Sequence, residues 1–220
     1  MVAAGQGGML ITNNQEIYEK AVLLGHFNMR AIRTVHLKHL KKFAETGYGL
    51  NYRMHPLGGA MALVQFSKLD ERIQLRNDKL NYLSKQLSGL PGIRTPITRT
   101  HVTRGAFYGY KIRYISSELN NLEIELFVKA MQAEGVLIKG TGYKPLHLTA
   151  LFSGTPDGLD NFSYSLPYTR KAYNEGDLPI SEKIYSVSLS LPTFTYEPYS
   201  IIDEYVSAFE KVINNVEKLV

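Results

Sequence analysis

The run Gly49-Leu50-Asn51-Tyr52-Arg53-Met54 sets an amide and a guanidinium two residues apart, and Tyr143-Lys144-Pro145-Leu146-His147-Leu148 sets a phenol and an imidazole four apart. These side chains can grip a small anionic or polar molecule. A short amide donates to a phosphate oxygen without adding a charge that must be neutralised on burial, and a guanidinium beside it can serve as a second phosphate contact. Imidazole hydrogen-bonds from either nitrogen and changes charge near neutral pH. Each residue also has a plainer use. Asn51 can fix a turn ahead of Pro56, Arg53 can be an ion-pair partner, Tyr143 can anchor a loop by packing, and His147 can be a histidine satisfied internally.

Other chemistries are poorly supplied. The chain has no cysteine, which removes disulfides, thiolate metal sites and cysteine nucleophiles together. His36 and His39 stand three apart, a spacing that metal ligands on a helix use, but no third ligand at suitable spacing accompanies them and a solvated face is the plainer reading. There is neither a Walker loop nor a nucleophile elbow, and the sequon Asn161-Phe162-Ser163 would matter only in a secreted protein. The net charge is +5, with basic residues gathered in Arg30, Arg33, His36, Lys38, His39, Lys41 and Lys42. That cluster lacks the interleaved aromatics and glycines of single-strand binders, so no nucleic-acid partner is expected; a phosphate or other anionic small molecule suits the charge.

The positioning elements can be read from periodicity. With 44% hydrophobic and 20% charged residues the 220-residue chain can bury a real core and belongs to the globular class. No apolar run approaches the roughly 20 residues of a membrane span, and no basic residue precedes Lys20, so neither a membrane nor a signal peptide is expected and the cytoplasm is the expected compartment. Gly5-Gln6-Gly7-Gly8 reads as a turn opening a strand at Met9 to Ile11. Asn13 then caps a helix with Glu16 three residues on, Ile17, Ala21 and Leu24 marking its apolar side and Gly25 its end. His26 to Tyr48 reads as a long connection with some helix in it. Pro56 starts a long helix to about Gly89, closed by Leu90-Pro91-Gly92, with the domain change near residue 90. Beyond it come a strand over Phe107 to Ile115, a helix over Asn121 to Glu134 stopped by Gly135, a strand over Val136 to Ile138, and a last helix from Ser200 whose broad apolar face is Ile201, Ile202, Tyr205, Val206, Phe209, Val212, Ile213 and Val216.

These motifs, in this order, resemble the DegT/StrS family of sugar aminotransferases, which use pyridoxal 5'-phosphate (PLP). The family has a Gly-Glu-Gly-Gly turn and a strand ending Thr-Asn-Asp, against Gly5-Gln6-Gly7-Gly8 and Thr12-Asn13-Asn14 here. It has a Gly-x-Asn-Tyr-Arg-Met motif, matched by Gly49 to Met54, followed by an Ala-rich helix and a Leu-Asp pair. It has a His-Tyr-x-Pro-Leu-His segment, matched from Tyr143 to His147 with Gly142 where His is commoner. Leu178-Pro179-Ile180-Ser181-Glu182 and Leu189-Ser190-Leu191-Pro192 match a helix start and a strand exit that read as structural.

The resemblance implies an α/β fold, the carboxy-terminal part of a type I PLP-dependent transferase: residues 1–90 the end of the large domain with its linking helix, and 91–220 the small α/β domain. It implies that Asn51 reaches across a dimer interface to the cofactor phosphate of the neighbouring subunit, and that Arg53, Tyr143 and His147 are candidate substrate contacts. The implied reaction moves an amino group from glutamate or glutamine to a keto sugar, often nucleotide-linked, in amino-sugar biosynthesis. The lysine that carries the cofactor falls, by the alignment, immediately before Met1. Lys139 follows a strand in the small domain, where nothing in the family puts the cofactor ring, and is not taken as a substitute. The chain alone is therefore expected to be inactive and to work as a homodimer or with a chain carrying the amino-terminal half. A split-gene product, a chain starting after a modified lysine, and a non-catalytic remnant acting as a binding protein remain three readings of that start.

Overall fold

The computed structural model describes residues 2–140, 142–150, 152 and 173–220; the sequon at Asn161 lies outside them. The chain divides into two compact units, Met1–Asp70 and Glu71–Val220. The sequence reading put the domain change near residue 90.

The first unit is built on helix α1, Gln15–Gly25, with α2 (Met29–Thr34) and α3 (Lys38–Lys41) in the connection that follows and α4 at Pro56–Ser67. Its core is small: Val22 and Leu23 of α1 pack with Ala31, Val35, Leu40 and Ala44. Two expectations for α1 need correction. The cap is Asn14, whose side chain accepts from the Ile17 amide at 3.1 Å, one residue after the expected Asn13. The buried face carries Glu19, Val22 and Leu23, while Ile17 and Leu24 are exposed. The connection from His26 onward decides this, because it folds onto α1 and the Leu37 amide donates to the Glu19 carboxylate at 2.9 Å. The expected strand at Met9 to Ile11 is absent; the segment has no regular secondary structure, Met9 is 86% exposed, and no strand among the described residues pairs with it. A strand needs ladder partners for its N–H and C=O groups, and alternation of side chains cannot supply them.

The expected single helix from Pro56 to Gly89 is two helices, α4 and α5 (Leu69–Leu87), interrupted at Lys68. The Ser67 hydroxyl donates back to the Val64 carbonyl at 2.9 Å, a local bond that competes with the helix ladder at the break. Beyond it Leu80, Leu83 and Leu87 of α5 enter the core of the second unit, whereas α4 buries none of its residues and leaves Leu57, Leu63 and Phe66 exposed.

Among the described residues the second unit holds a four-stranded antiparallel sheet in the order β1-β2-β4-β3, with β1 at Ile93–Arg94, β2 at Tyr110–Tyr114, β3 at Lys139–Gly140 and β4 at Ser188–Leu191. Alternation in β2 sends Tyr110, Ile112 and Tyr114 into a core shared with Phe127 and Met131 of α6 (Ile124–Ala133) and with Ile202, Phe209 and Val212 of α8 (Tyr199–Asn214). Helix α7, Pro179–Val187, runs directly into β4. The strand expected over Val136 to Ile138 falls at Lys139–Gly140 instead. Val136 and Ile138 are buried in the core ahead of it, so their apolar character reports packing rather than ladder position. Among the described residues no helix is long and apolar enough to cross a membrane.

Candidate functional site

The Gly49 to Met54 run is held at the end of α1. The Tyr48 amide donates to the Leu23 carbonyl at 2.8 Å and the Tyr52 amide to the Gly25 carbonyl at 3.3 Å, so the run satisfies acceptors that the helix end leaves open. Gly47 makes this approach possible. Its φ is +59°, and a Cβ there would stand 2.4 Å from the His26 carbonyl oxygen and 2.8 Å from that of Leu23.

Within the run, Arg53 Nε donates to Asn51 Oδ1 at 2.8 Å, and the Arg53 guanidinium lies 5.4 Å from the centroid of the Phe27 ring. Both Asn51 and Arg53 are exposed. Because its carbonyl oxygen is taken, the Asn51 amide presents its NH2 group as the donor to a ligand. The field there is positive: burial, with Arg30 and Arg53 nearby, pushes the His26 imidazole below its ordinary pKa. Asn51 and Arg53 thus form one cluster, in the first unit.

Tyr143 and His147 lie in the second unit and line one cleft of about 380 Å3 together with Lys111, Ser181 and Tyr185. Tyr143 is 97% exposed. His147 is buried, its Nε2 2.7 Å from Glu182 Oε1, and the same carboxylate accepts from the Gly176 amide at 2.9 Å and the Leu178 amide at 3.3 Å. The hydrogen bond with His147, followed by that from Gly176, holds the Glu182 carboxyl below the ordinary carboxylate range against the opposing effect of burial. His147 therefore ties its segment to the start of α7, and Tyr143 is the side chain of this pair left to the solvent. Glu182 read as structural in the sequence. The signal for its role was its place in the first turn after Pro179, where a carboxylate meets open amides.

The Glu182 link has a pH signature. A carboxyl whose pKa is depressed on folding adds stability that is complete above its unfolded value and is lost as pH falls through the folded value. In thermal denaturation between about pH 7 and about pH 3, Glu182→Gln should be less stable than the parent near neutrality, with the difference closing in acid. A difference constant across that range would show that the carboxylate charge contributes nothing.

The remaining candidates separate. Lys139 is exposed in β3. His39 faces Glu16 at 3.6 Å, and among the described residues no group of three or more His, Cys, Asp or Glu could hold a metal ion. The basic residues from Arg30 to Lys42 are all exposed, as a solvated face requires.

The sequence profile of the DegT/DnrJ/EryC1/StrS aminotransferase family matches residues 1–197. The chain belongs to this family. Similar relatives include the L-glutamine:scyllo-inosose aminotransferase of Streptomyces griseus, 27% identical over all of this chain and 52% of the relative, and the GDP-perosamine synthase of Caulobacter vibrioides, 24% identical over 97% of this chain and 50% of the relative. Among solved structures, the aminotransferase TlmJ from Streptoalloteichus hindustanus superposes with a TM-score of 0.66 at 20% identity, over 98% of this chain and 50% of that one. A DegT DnrJ EryC1 StrS aminotransferase from Brucella abortus gives 0.62 at 20% identity, over 91% and 44%. The fold is thus that of part of a DegT-type aminotransferase, and the chain spans about half the length of the relatives it matches. Aminotransferases of the DegT family depend on PLP.

Proposed function

We propose that this chain forms part of a PLP-dependent aminotransferase that moves an amino group from glutamine or glutamate to a keto sugar, nucleotide-linked, in cytoplasmic amino-sugar biosynthesis. The names of the relatives support both halves of this: one takes L-glutamine and a cyclitol ketone, the other makes a nucleotide-linked amino sugar. When bound, the cofactor supplies the electron sink for amino transfer. The contribution of this chain is to bind and orient.

Asn51 donates its amide N–H groups to the cofactor phosphate, while Arg53 locks the amide in that orientation through Oδ1 and keeps its terminal guanidinium nitrogens for the substrate. This pairing is the observation that supports the reading most directly, because it leaves donors, not acceptors, turned towards an anion. Tyr143 contacts the sugar from the mouth of its cleft, and His147 holds that cleft in shape through Glu182. The working assembly is a homodimer, or a complex with a chain carrying the amino-terminal half, in which Asn51 serves the site of the neighbouring subunit. The exposed apolar side chains of α4 support an assembled state, since contiguous apolar surface is what subunits cover.

The test is Asn51→Ala in the complete enzyme. One hydrogen bond to a charged phosphate is worth about 1.5–3 kcal/mol, so PLP affinity should fall about ten- to hundredfold with the melting temperature unchanged. Loss of stability with normal PLP retention would make Asn51 a turn residue and remove it from the site.

A further inference from the structure

The cleft that Tyr143 and His147 line carries one uncompensated charge. Lys111 points outward on β2, between the buried Tyr110 and Ile112, and lines this cleft. A Cβ on Gly142 would stand 3.1 Å from Lys111 Nζ, so the glycine leaves open the space that the ammonium occupies beside Tyr143. His147 is satisfied by Glu182. Among the described residues no carboxylate lines the cleft, and Lys111 has no acidic partner.

Around this cation the lining suits a small hydroxylated ring. Ser181, Ile184 and Tyr185 fall three and four positions apart and share one face of α7. They give the cleft two hydroxyl groups and an apolar patch, to which Tyr143 adds a third hydroxyl and Leu146 more apolar surface. Such hydroxyls both donate and accept, as the hydroxyls of a sugar require. The volume of about 380 Å3 lies at the lower end for small-molecule sites, enough for a single ring. A lone lysine, with no arginine fork beside it in the lining, balances a singly charged anion.

We propose that this cleft selects a keto sugar bearing a carboxylate on its ring, and that Lys111 is the residue that recognises the carboxylate. The inference rests on the transferase reading above and narrows its substrate from keto sugars at large to acidic ones. Lys111 Nζ donates charge-assisted hydrogen bonds to the carboxylate oxygens, while Ser181, Tyr185 and Tyr143 hydrogen-bond the ring hydroxyls. A phosphate in the same place would bring a second negative charge, for which the lining holds no second lysine or arginine.

Titration of the 220-residue chain, followed by NMR, with D-glucuronate, its methyl ester and glucose 6-phosphate at one ionic strength tests it. Glucuronate should bind about tenfold more tightly than the ester, which keeps the ring and loses the charge, because a hydrogen bond to a charged group is worth at least that factor. Lys111→Gln should abolish the difference at an unchanged melting temperature, since the side chain is exposed. Gly142→Val keeps the charge but fills its space and should weaken glucuronate likewise. Lys139→Gln, on β3 and outside the lining, should change it by less than about twofold. Equal binding of the ester, a difference that survives Lys111→Gln or Gly142→Val, tighter binding of glucose 6-phosphate, or no binding at all would overturn the proposal. In the complete enzyme, Lys111→Gln should raise KM about tenfold for an acidic keto sugar with kcat kept, and leave unchanged the KM for the sugar with a hydroxymethyl group in place of the carboxylate. Amino transfer to both sugars without preference would overturn the acidic assignment and leave the transferase reading standing; transfer to neither would remove both.

Discussion

Phe127→Ala should remove about 3–5 kcal/mol of folding free energy, the range for deleting a fully buried phenylalanine. Phe127 has no exposed surface and stands where three elements meet: its ring lies 4.9 Å from that of Tyr114 in β2 and 6.0 Å from that of Phe209 in α8, and it sits on α6 itself. Truncation leaves a void between a strand and two helices, none of which can close it without moving the others. Small domains hold about 5–15 kcal/mol in all, so the variant should unfold at a much lower urea concentration. Urea denaturation followed by tyrosine fluorescence measures this. A loss below about 1.5 kcal/mol, the usual cost of a far milder core change, would mean that the packing around α6 is not as described.

Gly47→Ala should cost about 3 kcal/mol, combining a left-handed backbone conformation with a clash against main-chain atoms that have little freedom to yield. The added methyl meets the His26 and Leu23 carbonyl oxygens at 2.4 and 2.8 Å, and the Leu23 carbonyl is the acceptor for the Tyr48 amide. Gly49 provides the control. Its φ is +82°, but nothing lies within 4 Å of a Cβ there, so Gly49→Ala should cost only the conformational part, about 1–2 kcal/mol. Melting temperatures of the two variants separate steric from conformational requirements; equal losses would mean that the close approach of Gly47 to the end of α1 is absent in solution. Because the same approach seats Asn51, Gly47→Ala in the complete enzyme should also lower PLP retention.

What could be read beforehand was whatever a local pattern dictates. The last helix shows its face because Ile202, Tyr205, Phe209, Val212, Ile213 and Val216 follow helical spacing and are buried, while Ile201 and Val206, read on the same face, are half-buried at its margin. Strand β2 shows itself because five residues alternate between core and solvent. The Asn51 run was legible as a motif. Its pairing with Arg53 was not, since side-chain geometry two residues apart depends on where α1 ends. What failed depends on distant chain: α1 takes its buried face from the segment that folds onto it, Met9 to Ile11 has apolar residues but no ladder, and α4 and α5 part at a serine whose hydroxyl is ambiguous in sequence. The Glu182 to His147 link spans thirty-five positions and involves residue types with many other uses, so no local spacing announces it.

The sheet order also bears on how this chain resists polymerising. Among the described residues its two borders, β1 and β3, are each two residues long, and the border at β3 carries the charged Lys139. A border strand offers its unused N–H and C=O groups to any passing chain, and the offer is dangerous in proportion to its length and flatness. Two residues provide too short a template for another strand to dock in register, and a lysine on that border repels a second copy of itself. The longer β2 and β4, which alternate well enough to seed cross-β stacking, are enclosed between those short borders. Short, charged borders thus disfavour strand-to-strand growth from this sheet.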